Sequence, residues 1–417
     1  MPASPLAPDM PARAGDALHT PAVRHAGPDV LSLALMDARN RVLQWLALCE
    51  TAATARGEAL TATPGDVLWL AGHAGWFAEF WIGRNTQRYQ GPACPARPLR
   101  LASTEACADD WWGDTAHGAA RRPLPDAATT RAFLLEQLES TLELLGKAPQ
   151  DDAGLYFYRL ALLHEDLRSE DMLAQAQRCG MHVPFAAREQ GRSLPALSIP
   201  GTRWSPGAVP GGFVFDNEQW RHEVELPEFE IDAQPVSWAQ FVEFVDDGGY
   251  DRPQCWHPEG WAWLQQLAQG DGRRGPRYVE QIGGAGGAVL QQRFGRPVRL
   301  AGHQSAMHVT WWEADAWCRW AGRRLPAEVE WECAAVTAAR RGFDWGQVHE
   351  WTAGTLRPWP GFSPGPWADY SQPWFGRARV LRGASFATRG RLRDARFRGF
   401  ADPADDLRFV GFRSCAA

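Results

Sequence analysis

The segment 67–82, VLWLAGHAGWFAEFWI, is apolar on nearly every side. A helix with that pattern has no solvent face and has to be enclosed by other elements. It falls short of the roughly 20 apolar residues that span a bilayer, as does every other run in the chain. The enclosure is therefore expected to be protein. Three further stretches have apolar residues at three- and four-residue spacing: Leu31 to Cys49, Thr129 to Leu145 and Gly154 to Ala176. With Pro- and Gly-rich connections between them, the four predict an antiparallel helical bundle, an architecture whose facing side chains can converge on a metal.

After about Met181 the pattern changes. A break runs from Pro184 through Gly212. Beyond it lie most of the Gly, Pro and Trp residues, the chain holding 22 Trp against 6 Tyr. Large rigid rings are suited either to line a pocket or to fill a core poor in regular structure. Short strand-like stretches occur at Glu228 to Asp232 and Arg379 to Arg382, with one clear helix at Trp311 to Ala321. The rest is expected to be held by loop packing and turns rather than by a regular sheet. The expected division is an arm over 1–28, read as disordered, a helical domain over 29–183, a linker over 184–212 and a second domain over 213–417.

The net charge of −6 argues against nucleic-acid or anionic-membrane partners, which call for a basic face. Eight Cys lie far apart without a CxxC pair, which is neither a zinc nor a redox pattern. The first residues have no apolar stretch of signal-peptide length. A reduced, cytoplasmic setting is the expectation.

Three features carry chemistry. His73 sits inside the apolar helix, followed by Trp76, Phe77 and Glu79; such a His is either a satisfied core residue or a metal ligand. His164-Glu165-Asp166 opens a polar run on the fourth helix that includes Arg168, Glu170 and Asp171. It reads either as an inner and outer ligand shell or as a solvated helix face. The third feature is an ordered set: FDNE (215–218), PVS (235–237), GGY (248–250), HVTW (308–311), GRRLPAEVEWE (322–332), VHEWT (348–352), LRGASF (381–386) and GFR (411–413). These place Gly at tight turns, Arg beside Glu for bidentate pairing, and Trp in the gaps.

In that order, the motifs resemble the formylglycine-generating-enzyme-like fold as found in the sulfoxide synthases of ergothioneine biosynthesis. The first half resembles their DinB-like four-helix domain, so the resemblance runs from about Leu31 to the end. It implies an α+β chain, a bundle followed by an irregular C-type-lectin-like domain. It also implies Fe(II) bound by three His. One comes from a HxxWFxE-like element, matched by His73, Trp76, Phe77 and Glu79. The other two come from HExxHxE, where His164, Glu165 and Glu170 match but Arg168 replaces the second His. A guanidinium cannot bind a metal. Either a carboxylate such as Asp171 substitutes, or iron binding is weakened or lost.

Two further departures concern the substrates. Where the family has a Tyr that assists oxygen chemistry, Pro360-Gly361-Phe362 leads to Trp367, with Tyr370 after it. The places of the donor-binding Asp and Arg hold Ala401 and Asp405, and an acid there should repel a carboxylate. The DARNR run (37–41), the HED run (164–166) and the ending are most similar to the selenium-specific branch, the selenoneine synthases. That branch joins hercynine to a selenosugar with O2. On this reading Trp367 and Tyr370 are catalytic, and with Trp374 and Phe400 they enclose hercynine's trimethylammonium group. Arg121 and Arg122 would hold a carboxylate or the donor. The alternatives are an ergothioneine-type enzyme with a thiol donor, and a non-catalytic binding homologue, for which Arg168 is the main support. Formylglycine generation is disfavoured, because Cys318 and Cys333 lie away from the terminal RGAS and GFR elements.

Overall fold

The structure, a computed structural model, describes residues 17–60, 65–113, 123–183, 194–270, 272–283 and 289–417. Four helices build the first half: α1 (Pro28–Ala55), α2 (Val67–Ala78), α3 (Ala127–Leu145) and α4 (Asp152–Arg178). The apolar segment is the centre of this group, as its pattern demands: all twelve residues of α2 are buried, and it packs on α3 and α4 while α1 packs on α3 and α4. A five-residue π turn, Glu79–Gly83, ends it, and a short helix, Ala108–Trp112, crosses its side. Helices α3 and α4 start where Asp126 and Asp151 accept hydrogen bonds from Thr129 N and Gly154 N. Among the described residues no helix is long and apolar enough to cross a membrane.

The second half holds more regular structure than its composition predicts. Strands β1 (Leu197–Ile199), β4 (Phe229–Ile231), β8 (Arg323–Arg324) and β13 (Cys415–Ala416) form one sheet in the order β1-β4-β13-β8. A second sheet runs β11-β10-β9-β12, from β9 (His349–Thr355), β10 (Arg379–Gly383), β11 (Gly399–Ala401) and β12 (Val410–Phe412). Only β9 and β12 pair in parallel there. Two smaller ribbons complete it: β2 (Thr202–Trp204) with β3 (Val224–Leu226), and β5 (Val279–Gln281), β6 (Val289–Arg293) and β7 (Arg296–Leu300).

Among the described residues, four α-helices occur there rather than one: α5 (Trp238–Asp246), α6 (Pro258–Gly270), α7 (Trp311–Trp320) and α8 (Glu328–Thr337). The strand-like stretches at 228–232 and 379–382 are β4 and β10, whereas most of the other strands are three residues or fewer, too short for alternation to register. Capping explains two of the helices: Ser237 with Gln240 and Thr310 with Glu313 form reciprocal caps at the starts of α5 and α7. The whole is an α+β fold.

Residues read as an arm or a linker contribute to this frame. Pro21–His25 form a 3-10 turn, and the buried Arg24 pairs bidentately with Glu218. Strands β1 and β2 lie inside 184–212, of which 184–193 fall outside the described residues.

The two halves share a core, since Phe213, Phe215, Phe397 and Phe409 belong to the same buried cluster as Leu70 and Phe77. Ion pairs cross the junction. Asp166 takes both arms of Arg391 at 2.7 and 2.8 Å, and Asp37 takes Arg389 and Arg391. A charge pair as buried as Asp166–Arg391 is costly unless fully bonded, and this one is bidentate.

Candidate metal centre and adjoining cavity

The centre starts with a missing side chain. A Cβ on Gly72 would lie 2.0 Å from the Trp112 indole nitrogen, so only glycine lets that ring press against α2. The carbonyl of Trp112 then accepts a hydrogen bond from His73 Nδ1 at 2.8 Å. With its proton on Nδ1, the His73 ring leaves Nε2 as a lone-pair donor, the arrangement metal-bound imidazoles favour. Rings clamp it on both sides: Trp69 stacks at 4.4 Å and Trp76 at 5.3 Å. Trp76 is tied by its indole N–H to Asp109, and Glu79 accepts from Ser103 and Thr104.

From α4, His164 meets His73 with ring centres 5.1 Å apart and planes at 60°. Imidazole–metal bonds of about 2.1 Å place two adjacent ring centres roughly 5 Å apart, so the pair can share one ion. His164 is 1% exposed, and neither of its nitrogens has a hydrogen-bond partner. Burial, then the nearby Arg168 charge, then His73 hold its pKa well below the ordinary histidine value. It is a neutral, unpaired imidazole in a dry place, which is what a metal ligand requires. Its neighbours fix it: Phe77 stacks on it at 3.7 Å, Trp367 meets it edge-on at 5.3 Å, and the adjacent Glu165 is held by Arg39.

The third position is not a ligand. Arg168 stays beside His164 and pairs with Asp171 at 2.9 Å. Glu170 faces the other half, accepting from His349, Ser385 and Thr388. Among the described residues no group of three His, Cys, Asp or Glu can hold an ion. Asp171, the substitute ligand weighed above, has its carboxylate engaged by Arg168. Two imidazoles fit Fe(II) as a partial set that leaves positions for substrate or water.

Beside the pair lies a cavity of about 410 Å³. Trp367, Tyr370, Trp374 and Phe400 line it, joined by Phe397 and Phe409; Trp367 also touches His164, so this ring borders both the centre and the cavity. Glu170, Asp171, Asp369, Asp402 and Asp405 face it, with Arg168, His349 and Arg408. Five carboxylates against two guanidinium groups, over aromatic walls, favour a cationic ligand. A second hollow of about 530 Å³ adjoins it, sharing Arg168, Asp171, Asp402, Asp405 and Arg408 and reaching Arg277 and Trp69.

The expectation that an acid stands unaccompanied at the donor end is corrected. Arg408 pairs with Asp405 at 3.2 Å. Burial would lower its pKa, but Asp171, Asp405 and Glu170 raise it on balance, so it stays charged. Sequence reading missed Arg408 and His349 as cavity residues; the Asp405-to-Arg408 spacing, one turn apart, was the available signal. Arg121 and Arg122 lie outside the described residues.

Over residues 186–347 the chain matches the sulfatase-modifying factor enzyme 1-like domain. It is 33% identical to the hercynine oxygenase of Mycolicibacterium smegmatis over 409 residues, covering 83% of this chain and 90% of that protein. The chain belongs to the hercynine oxygenase family. The hercynine oxygenase of Mycobacterium tuberculosis is 28% identical over 93% of this chain and 98% of its own length. The formylglycine-generating enzyme of Streptomyces coelicolor is 31% identical but aligns with only 39% of this chain. As a hercynine oxygenase family member it is an oxidoreductase. The relatives support the ergothioneine-type family as a whole and do not single out its selenium-specific branch.

Proposed function

We propose that this chain is an iron-dependent, O2-using enzyme that joins a chalcogen donor to the imidazole of hercynine, with His73 and His164 as its protein ligands. The observation that carries the reading is the His pair, two rings 5.1 Å apart beside an aromatic, acidic cavity. Iron, when bound, supplies the redox chemistry that couples O2 to bond formation.

The chain's own groups do the rest. Trp367, Tyr370, Trp374 and Phe400 line the cavity with aromatic faces suited to a trimethylammonium group, and the carboxylates that also line it add attraction. The guanidinium groups that line the cavity, Arg168 and Arg408, are paired with Asp171 and Asp405. Tyr370 is the hydroxyl in reach of substrate; burial, then Glu218 and Asp216, push its pKa up, so it remains protonated and donates rather than accepts a proton. Phe77, Trp69 and Trp76 exclude water around the imidazoles.

The relatives favour sulfur, from a thiol donor, as the atom transferred. A specific observation favours a second reading, a selenosugar donor: the acidic excess of the cavity, with Arg408 already committed to Asp405, suits a neutral sugar better than a carboxylate-bearing thiol. Hercynine turnover by the iron-loaded enzyme under O2, with γ-glutamylcysteine, cysteine or selenosugar in turn, tests both. Product with a thiol alone supports sulfur, and product with selenosugar alone supports selenium. Failure of hercynine to bind at all removes the function.

A further inference from the structure

Consecutive residues of the FDNE motif grip consecutive residues of the cavity wall. Phe215 stacks on Tyr370, centres 4.9 Å apart, and Asp216 Oδ1 accepts from Ser371 Oγ at 2.8 Å. The gripped loop is a tight turn, closed by Tyr370 N–H donating to the Trp367 carbonyl and Trp374 N–H to that of Ser371. The turn so gripped carries three wall rings, Trp367, Tyr370 and Trp374. Ser371 is fully buried and Asp216 nearly so, yet Asp216 Oδ2 has no partner.

We infer that Asp216 is a positioning residue for the Trp367–Tyr370 wall, and that gain or loss of a proton at its carboxyl shifts that wall. The charged groups facing it explain why the proton matters. Glu218 repels it, although Glu218 is itself paired with Arg24, and the hydroxyls of Tyr156 and Tyr370 lie near enough to feel its charge. Among the described residues no cation pairs with Asp216 directly. Burial raises its pKa, and despite the Ser371 and Asn217 hydrogen bonds it is pushed up to about 6. Ionised, Asp216 accepts from Ser371. Protonated, it gains an O–H that needs an acceptor: on Oδ1 the bond to Ser371 would reverse, and on Oδ2, which has no partner, the buried proton is left unsatisfied, so the turn readjusts in either case. The relevance to catalysis rests on the function proposed above; the movement itself does not.

The test uses the full chain labelled with 5-fluorotryptophan, without metal or substrate, read by fluorine NMR. The Trp367 signal is assigned by its loss in Trp367→Phe. It is expected to titrate with a midpoint at about 6, and in Asp216→Asn to stay constant over the same range, the folded state being checked by melting. Ser371→Ala, a second and milder variant, is expected to cut the shift change at least by about half, since the link is lost while the charge remains. A Trp367 signal that does not move with pH, or that titrates identically in Asp216→Asn, overturns the inference. Loss of turnover with hercynine would leave this result untouched, so the two readings fail separately.

Discussion

The ring of Phe77 lies face to face with that of His164, planes 8° apart. Phe77 is four residues after His73, one helical turn, so a single face of α2 presents one imidazole and the ring that orients the other. Held this way, His164 keeps its nitrogens directed by packing rather than by a hydrogen bond. Phe77→Leu keeps the apolar volume but loses the flat contact. It is expected to weaken Fe(II) binding by about tenfold, within the range for groups that orient a ligand, while the protein stays folded. Competition against a chromophoric chelator under anaerobic conditions measures it. Unchanged affinity would show that Phe77 only fills space.

Arg168 stands one turn after His164, where a third imidazole would complete the set, and its guanidinium lowers the His164 pKa. Replacing it removes a positive charge beside a cation site and adds a ligand. Arg168→His is expected to raise Fe(II) affinity by at least about tenfold, and His164→Ala to abolish stoichiometric binding. Metal content after anaerobic loading reads both. Retention of full iron by His164→Ala would mean that the ion sits elsewhere.

What could be read from the sequence was local. The apolar run at 67–82 announced a buried helix, and HxxWFxE and HED placed the two imidazoles on α2 and α4. The polar residues around them were ambiguous, because their partners are far away in the chain. Glu165 is bonded to Arg39, 126 positions earlier, and Asp166 to Arg391, 225 positions later. Only folding selects such pairs, and this is why the run around His164 reads equally well as a ligand shell or as a solvated face. The same holds for the cavity: Trp374 and Phe400 were visible as aromatics, whereas the role of Arg408 depended on a turn that returns it to α4.

Glu170 links the halves, and its ionisation should be measurable in stability. Burial alone would raise its pKa; the His349 ring and the hydroxyls of Ser385 and Thr388 more than offset this and hold it down at about 2, from 4.5. A depressed acid contributes stability that is fully present above the unfolded value and lost as pH falls through the folded one. Wild type should therefore lose stability between about pH 4.5 and 2, on the order of 3 kcal/mol from this group. Glu170→Gln should be less stable at neutral pH and show a flatter decline in that acid window. Urea unfolding at stepped pH gives the comparison. Parallel curves for the two proteins would mean that the His349 contact adds nothing.

Trp374 is the outermost of the wall rings, 36% exposed and 5.9 Å from Phe400. It touches no metal ligand, so removing it should affect substrate binding without disturbing iron. A cation over an indole face is worth about 1–2 kcal/mol when partly desolvated. Trp374→Ala is thus expected to raise the KM for hercynine roughly tenfold, with the donor KM and bound iron unchanged. Histidine, which lacks the three methyl groups, supplies the control: it should bind both proteins equally poorly. If hercynine and histidine lose affinity by the same factor, the ring contributes shape rather than recognition of the quaternary nitrogen.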